Sequence, residues 1–225
     1  MKAWLTKAII VLMLSATGIT VGSSSSKGVN QDLLRRPINN LDLEAANIGL
    51  LLDSFSAQTK VPTGLELSSD DDLSIPKRIR LEIKHGTLRD VLDSVVKQNP
   101  LYEWKIEDEV VNIFPKSANR DALLKEVLET KLDKFSIDRG MTRFSFRQAL
   151  TTTQALKSVL LQHKVVPINE TFMSRDFDPL GRNYTLEASN LSISTLLNQV
   201  VRDSQTKSWI VLRYGEKKQY LVINL

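Results

Sequence analysis

No cysteine occurs anywhere in the chain. That excludes disulfides, thiolate metal sites, a cysteine nucleophile and a lipid-modified N-terminal cysteine. Histidine is nearly as scarce, with His85 and His163 alone. A histidine-activated serine needs an imidazole held by a carboxylate and touching the hydroxyl. His85 precedes Gly86 at an expected strand end, and His163 lies near the end of a helical turn. Neither belongs to a nucleophile motif, and both read as ordinary surface or cap residues. The 9 glycines are scattered, so there is no phosphate-binding loop, and no histidine pair has metal-binding spacing on a helix. A dominant charge is missing as well. The formal charge is +4, and two of the positive charges, Lys2 and Lys7, lie in the N-terminal segment considered below. No basic stripe alternates with aromatics, so nucleic acid is not expected as a partner.

The carboxylates do not supply what the histidines lack. Asp70-Asp71-Asp72 is acidic enough to suggest calcium. A calcium loop needs oxygens at alternate positions, a central glycine and a distal glutamate, and Ser68–Ser74 has no such spacing. It reads as a solvated loop. Glu66 and Glu82 read as the wet faces of strands. Carboxylate pairs of the glycosidase kind can be far apart in sequence, and nothing singles one out. Asn169, Asn183 and Asn190 each open a glycosylation pattern, which matters only in a eukaryotic source. No catalytic, cofactor-binding or metal residue is assigned, and no cofactor is expected.

What is present begins with an export signal over residues 1–23. Met1–Lys7 is short and positive, Ala8–Leu14 is wholly apolar, and small residues follow to Ser23. An uncleaved anchor is the alternative, although the apolar run is shorter than the roughly 20 residues of a spanning helix. Residues 24–37 read as a flexible leader. Hydrophobic residues at 42% and charged residues at 25% describe an ordinary globular chain. With no disulfide available, an exported protein of this size must be held by core packing.

The strongest signal is internal. At an offset of 105 residues, Leu81-Glu82 falls on Leu186-Glu187, Leu92 on Leu197, Val95-Val96-Lys97 on Val200-Val201-Arg202, and Trp104 on Trp209. Val61-Pro62 falls on Val166-Pro167 at the same offset. Each copy carries one pattern. Ile48, Leu51, Leu52 and Phe55 have helical spacing, and Val61-Pro62 ends that helix. Leu156, Val159 and Leu160 form the second copy's stripe. Ile79, Leu81 and Ile83 alternate with charged residues as a half-buried strand, matched by Tyr184–Ala188. Thr87 with Asp90 makes a capping box ahead of the stripe Leu88, Val91, Leu92 and Val95. Ser192 caps the stripe Ile193, Leu196, Leu197 and Val200. A hairpin closes each copy, turning at Glu107-Asp108 in the first and at Tyr214–Lys217 in the second. Its returning strands align at an offset of 112, so the second hairpin is longer. Edge strands over Ile38–Leu43 and Leu132–Ile137 complete the unit.

The fold class expected is therefore α+β: two tandem β-α-β-α-β-β modules, each with two helices packed on small mixed sheets. The first module spans 38–115, a helical connector 116–131, and a more divergent second module 132–225. Trp104 and Trp209 read as one core anchor per module rather than as a binding platform.

Gly86-Thr87-Leu88-Arg89-Asp90-Val91-Leu92, after the Leu81–Ile83 strand and before the Tyr102–Phe114 hairpin, resembles the short N-terminal domain of secretins and TonB-dependent receptors. Ser192-Ile193-Ser194-Thr195-Leu196-Leu197 occupies the same position in the second copy. The resemblance implies a periplasmic, non-catalytic module that binds other proteins, often through sheet edges or helix faces. Family members usually carry a pore or barrel after the module. Here the expectation is a free-standing tandem pair with an unidentified envelope or secreted protein as partner, and the binding surface is not indicated. A self-associating structural protein and a small envelope hydrolase are the alternative readings.

Overall fold

The computed structural model describes residues 26–67, 78–168, 174–215 and 218–225. The signal segment, the Asp70–Asp72 loop and the Asn169 pattern lie outside them.

The protein is α+β. Helix α1 (Ser26–Leu34) leads into β1 (Pro37–Ala45), α2 (Ile48–Thr59), β2 (Thr63–Leu67), β3 (Ile79–Thr87), α3 (Leu88–Gln98), β4 (Tyr102–Glu107) and β5 (Val110–Pro115). A short 3-10 turn at Ser117–Asn119 and helix α4 (Ala122–Glu129) connect to β6 (Lys131–Ile137), α5 (Arg143–Thr152), α6 (Gln154–Gln162) and β7 (Val165–Pro167). A second 3-10 turn at Ser174–Phe177 precedes β8 (Leu186–Ser192), α7 (Ile193–Asp203), β9 (Ser208–Tyr214) and β10 (Gln219–Asn224). Among the described residues no helix is long and apolar enough to cross a membrane.

Each half has an antiparallel strand pair, β1 with β3 and β6 with β8. Each half also contributes three strands to one mixed six-stranded sheet, ordered β4-β5-β2-β9-β10-β7. The halves enter that sheet in the same strand order. Within each, a hairpin is followed by a parallel partner, β5 with β2 and β10 with β7. The join is the parallel pair β2–β9, in which Gly64 stands opposite Trp209. Because β4 and β9 then run in opposite senses, the second half is turned over relative to the first. Its helices cover the opposite sheet face. Val111 and Ile113 pack with the first half's core, together with partly buried Ile210 and Leu212. Val110, Trp209 and Val211 pack with the second half's core.

Local chemistry places these elements. Thr87 caps α3: its hydroxyl accepts from Asp90 N, and the Asp90 carboxylate accepts from Thr87 N at 2.7 Å. Those bonds to the Thr87 backbone and side chain hold the Asp90 carboxyl below its ordinary range. Ser192 caps α7 in the same way, accepting from Thr195 N at 3.2 Å. The strand pairs feed these helices alike, since Leu88 N donates to Arg36 O and Ile193 N to Thr130 O. Both helices run between residues offset by 105, from 88–98 to 193–203.

Several expectations change. Residues 24–37 were expected to be a flexible leader. From Ser26 they form α1, whose Leu33 and Leu34 rest partly buried on the first core. The first hairpin turns at Asp108-Glu109, one residue later than expected, with both residues at positive φ (53° and 65°). That is the two-residue turn whose twist matches antiparallel strands. Strand β8 begins at Leu186 rather than Tyr184. The connector is no mere spacer, because Leu123, Leu124, Val127 and Leu128 of α4 are buried in the second core. Helix α5 has no counterpart in the first half. Thr142 caps it, and its Phe146 is fully buried, edge-on to Phe135 at 5.5 Å.

Candidate functional site

The two tryptophans begin equivalent and end different. In each half the indole N–H donates to the side chain 11 residues before it on the preceding helix. Trp104 Nε1 reaches Asp93 Oδ1 at 3.0 Å, and Trp209 Nε1 reaches Asn198 Oδ1 at 2.9 Å. Trp209 is 3% exposed. Trp104 is only half-buried, with the Arg89 guanidinium 5.7 Å from its ring centre. The core-anchor reading therefore holds in full for Trp209, whereas Trp104 packs on the rim of the first core and stays partly exposed.

The cause is the neighbouring strand. Trp209 lies on β9, and β2 covers its edge. The ring rests against Gly64, where an added Cβ would fall less than 3.0 Å from Cε2 and Cζ2. Only glycine leaves that room. Trp104 lies on β4, which ends the sheet and has no strand neighbour on its outer side among the described residues. Beside it an open groove of about 430 Å³ is lined by Asp93, Val96, Pro100, Tyr102 and Trp104 among others.

Backbone polarity along β4 follows from one hydrogen bond. Val111 N donates to Pro62 O at 3.0 Å, so Val111 turns its polar groups toward β2 and away from β4. Ile106 lies opposite Val111. Antiparallel pairs alternate, so Ile106, and two residues back Trp104, direct N–H and C=O outward. The Asn30 amide of α1 donates to the Ile106 carbonyl at 3.3 Å. In β9 the matching positions take β2: Thr63 N donates to Lys207 O at 2.9 Å, in register with Gly64 opposite Trp209.

Around the β2–β9 join lies a polar cleft of about 540 Å³, lined by Glu66, Lys105, Asn112, Arg120, Thr195 and Asn198 among others. Glu66, expected on a wet face, is buried at 1% exposure. The reason is Arg120, whose Nε and Nη2 reach both carboxylate oxygens at 2.7 to 2.9 Å. Donating to Glu66 raises the Arg120 pKa further above its ordinary value. The next residue, Asp121, caps α4 through Leu123 N and Leu124 N and accepts from Arg213 Nε at 2.7 Å. The connector thus ties β2 to β9 through two adjacent charges. These bonds saturate the cleft's central charges on each other, so its geometry reads as a structural seam. The sequence reading missed it because Arg120 and Glu66 are 54 residues apart.

The histidines do not come together. His85 is exposed and its Nδ1 meets Asn39 Oδ1 at 3.1 Å, while His163 Nε2 meets Glu126 Oε2 at 2.9 Å. Among the described residues no group of three or more histidine or carboxylate side chains could hold a metal ion. Glu82 is exposed on β3, as expected. Asn183 lies just before β8, and Asn190 lies within it at a positive φ of 54°.

No family model, no curated protein and no solved structure matches this chain.

Proposed function

We propose that the chain is an exported, non-catalytic protein-interaction module, a tandem pair of the secretin and TonB-dependent receptor short N-terminal type. It would act in the periplasm as an accessory to an envelope assembly. One observation carries the reading: among the described residues β4 presents an edge with no strand on its outer side, whereas its counterpart, β9, is closed by a docked strand. An edge with outward N–H and C=O groups is a template for strand addition. The positive, then apolar N-terminal segment and the Gly86–Leu92 pattern supply the location and the family in this reading.

The test is site-specific photo-crosslinking in envelope extract, with the reactive group at Glu103 on the open edge or at Glu82 on β3. The reading expects one specific protein adduct from position 103 and none from 82. No specific adduct from position 103 at high loading sinks it.

Self-association is the second reading, and the far edge of the sheet favours it. There Leu161 is 68% and Val166 39% exposed, beside β7. Sedimentation showing a single monomeric species across a wide concentration range removes that reading.

A further inference from the structure

The β2–β9 join shows how a strand is received by an edge bearing a tryptophan. The incoming strand runs parallel to the edge, donates to the carbonyl two residues before the tryptophan, and places glycine under the ring. The open β4 edge repeats the receiving half of that arrangement. Its tryptophan is held by the same indole bond from the same helix position, Asp93 in place of Asn198. Its outward backbone groups, at Trp104 and Ile106, match those of Trp209 and Val211. The Trp104 ring is left half-buried where Trp209 is covered.

The other face of β4 says what kind of strand fits. In β9 the residues between Trp209 and Val211 and after it are Ile210 and Leu212, which helix α2 helps to cover. In β4 the equivalent residues are Lys105 and Glu107, paired with each other at 2.8 Å and partly solvent-exposed. A docked strand there needs no accompanying helix, because that face stays wet. This argues for a single extended segment rather than a second copy of the whole module.

We propose that β4 takes up an extended segment of another protein, running parallel to it, with glycine facing Trp104. A larger residue at that point meets the indole ring, which the Asp93 bond holds in place. The segment's other face carries polar side chains against Lys105 and Glu107. Helix α1 already donates to the Ile106 carbonyl through Asn30, so docking displaces that amide. This proposal rests on the interaction reading above and adds the strand's direction and its glycine.

The probe is an end-capped peptide built on this chain's own docking strand, Val61–Leu67, with threonine for Leu65 and lysine for Leu67 so that the face opposite Lys105 and Glu107 is polar (VPTGTEK), titrated into isotope-labelled full chain and followed by amide shifts. The expected result is movement of the Trp104 indole and the Trp104 and Ile106 amides. A peptide with valine in the glycine position should bind at least about tenfold weaker. Ile106→Pro removes an outward N–H without breaking the β4–β5 ladder, and it should abolish the shifts while the far-ultraviolet spectrum is retained. Equal response to both peptides, no response at millimolar peptide, or shifts centred on Trp209 would overturn the proposal. Shifts at Trp104 on raising protein concentration alone would assign the edge to a second copy and overturn the occupant. A peptide that binds while envelope crosslinking recovers nothing would count against the interaction reading instead. Crosslinking without peptide binding would leave that reading and remove this one.

Discussion

Gly64→Ala puts a methyl group into the seam on which the two halves meet. The added Cβ would fall under 3.0 Å from the Trp209 ring and from Asn112 Oδ1. Neither neighbour yields easily. Trp209 is 3% exposed and tethered to Asn198, and Asn112 is 5% exposed between β2 and β4. Overpacking of this kind costs about 1–3 kcal/mol. If the indole shifts off Asn198, a buried hydrogen bond worth about 1 kcal/mol goes with it. Against this, replacing glycine in a strand recovers about 0.5–1 kcal/mol of backbone entropy. The balance is a loss of about 1–3 kcal/mol in urea unfolding followed by circular dichroism. Trp209→Val alone removes a large buried ring, but in the Gly64→Ala background it also removes the clash. The double variant should therefore be more stable than additivity predicts, by at least about 1 kcal/mol. A Gly64→Ala protein within about 0.5 kcal/mol of the parent, or strict additivity, would refute the steric account.

Other expectations follow from the same contacts. Arg120→Met leaves the Glu66 carboxylate buried and unpaired, a loss of up to about 3–5 kcal/mol, with the lower end expected because Arg120 is 21% exposed. Adding Glu66→Leu should recover most of that loss in the same unfolding assay. Trp209→Ala should cost about 3–5 kcal/mol, and half-buried Trp104→Ala markedly less, although sequence alone ranks them equal. Thr87→Ala and Ser192→Ala should each cost about 1 kcal/mol and add independently, because they cap different helices. The depressed Asp90 pKa means its capping contribution is present above the ordinary aspartate range and is lost as pH falls through its folded value. Asp90→Asn should flatten that acid limb of the stability curve.

The elements that sequence reveals best are those whose determinants lie close together. Thr87 and Asp90 are three residues apart, and Leu88 to Val95 form one stripe, so α3 and its cap can be read directly. The offset of 105 exposes what each half shares, the helix and the strand after it. It is silent on what joins them. The β2–β9 pairing brings Gly64 to Trp209 from 145 residues away, and no local pattern marks that register. For the same reason Glu66 reads as a wet-face residue until Arg120 arrives across the seam. Trp104 reads as a core residue because the helix and strand around it repeat those around Trp209 at the offset of 105. Its exposure depends on the outer strand neighbour that β4 lacks among the described residues, and such a difference leaves no trace in sequence. Helix α5 was missed since it has no counterpart to align with.

Amide hydrogen exchange, read residue by residue on the protein alone, tests the difference between the two edges most directly. The Trp209 and Val211 amides lie inside the sheet against β2, and they should exchange only through global unfolding. The Trp104 and Ile106 amides face outward on β4, and they should exchange orders of magnitude faster. Equal protection at the four positions would contradict the account, because it would mean that the edge assigned to a partner is already closed.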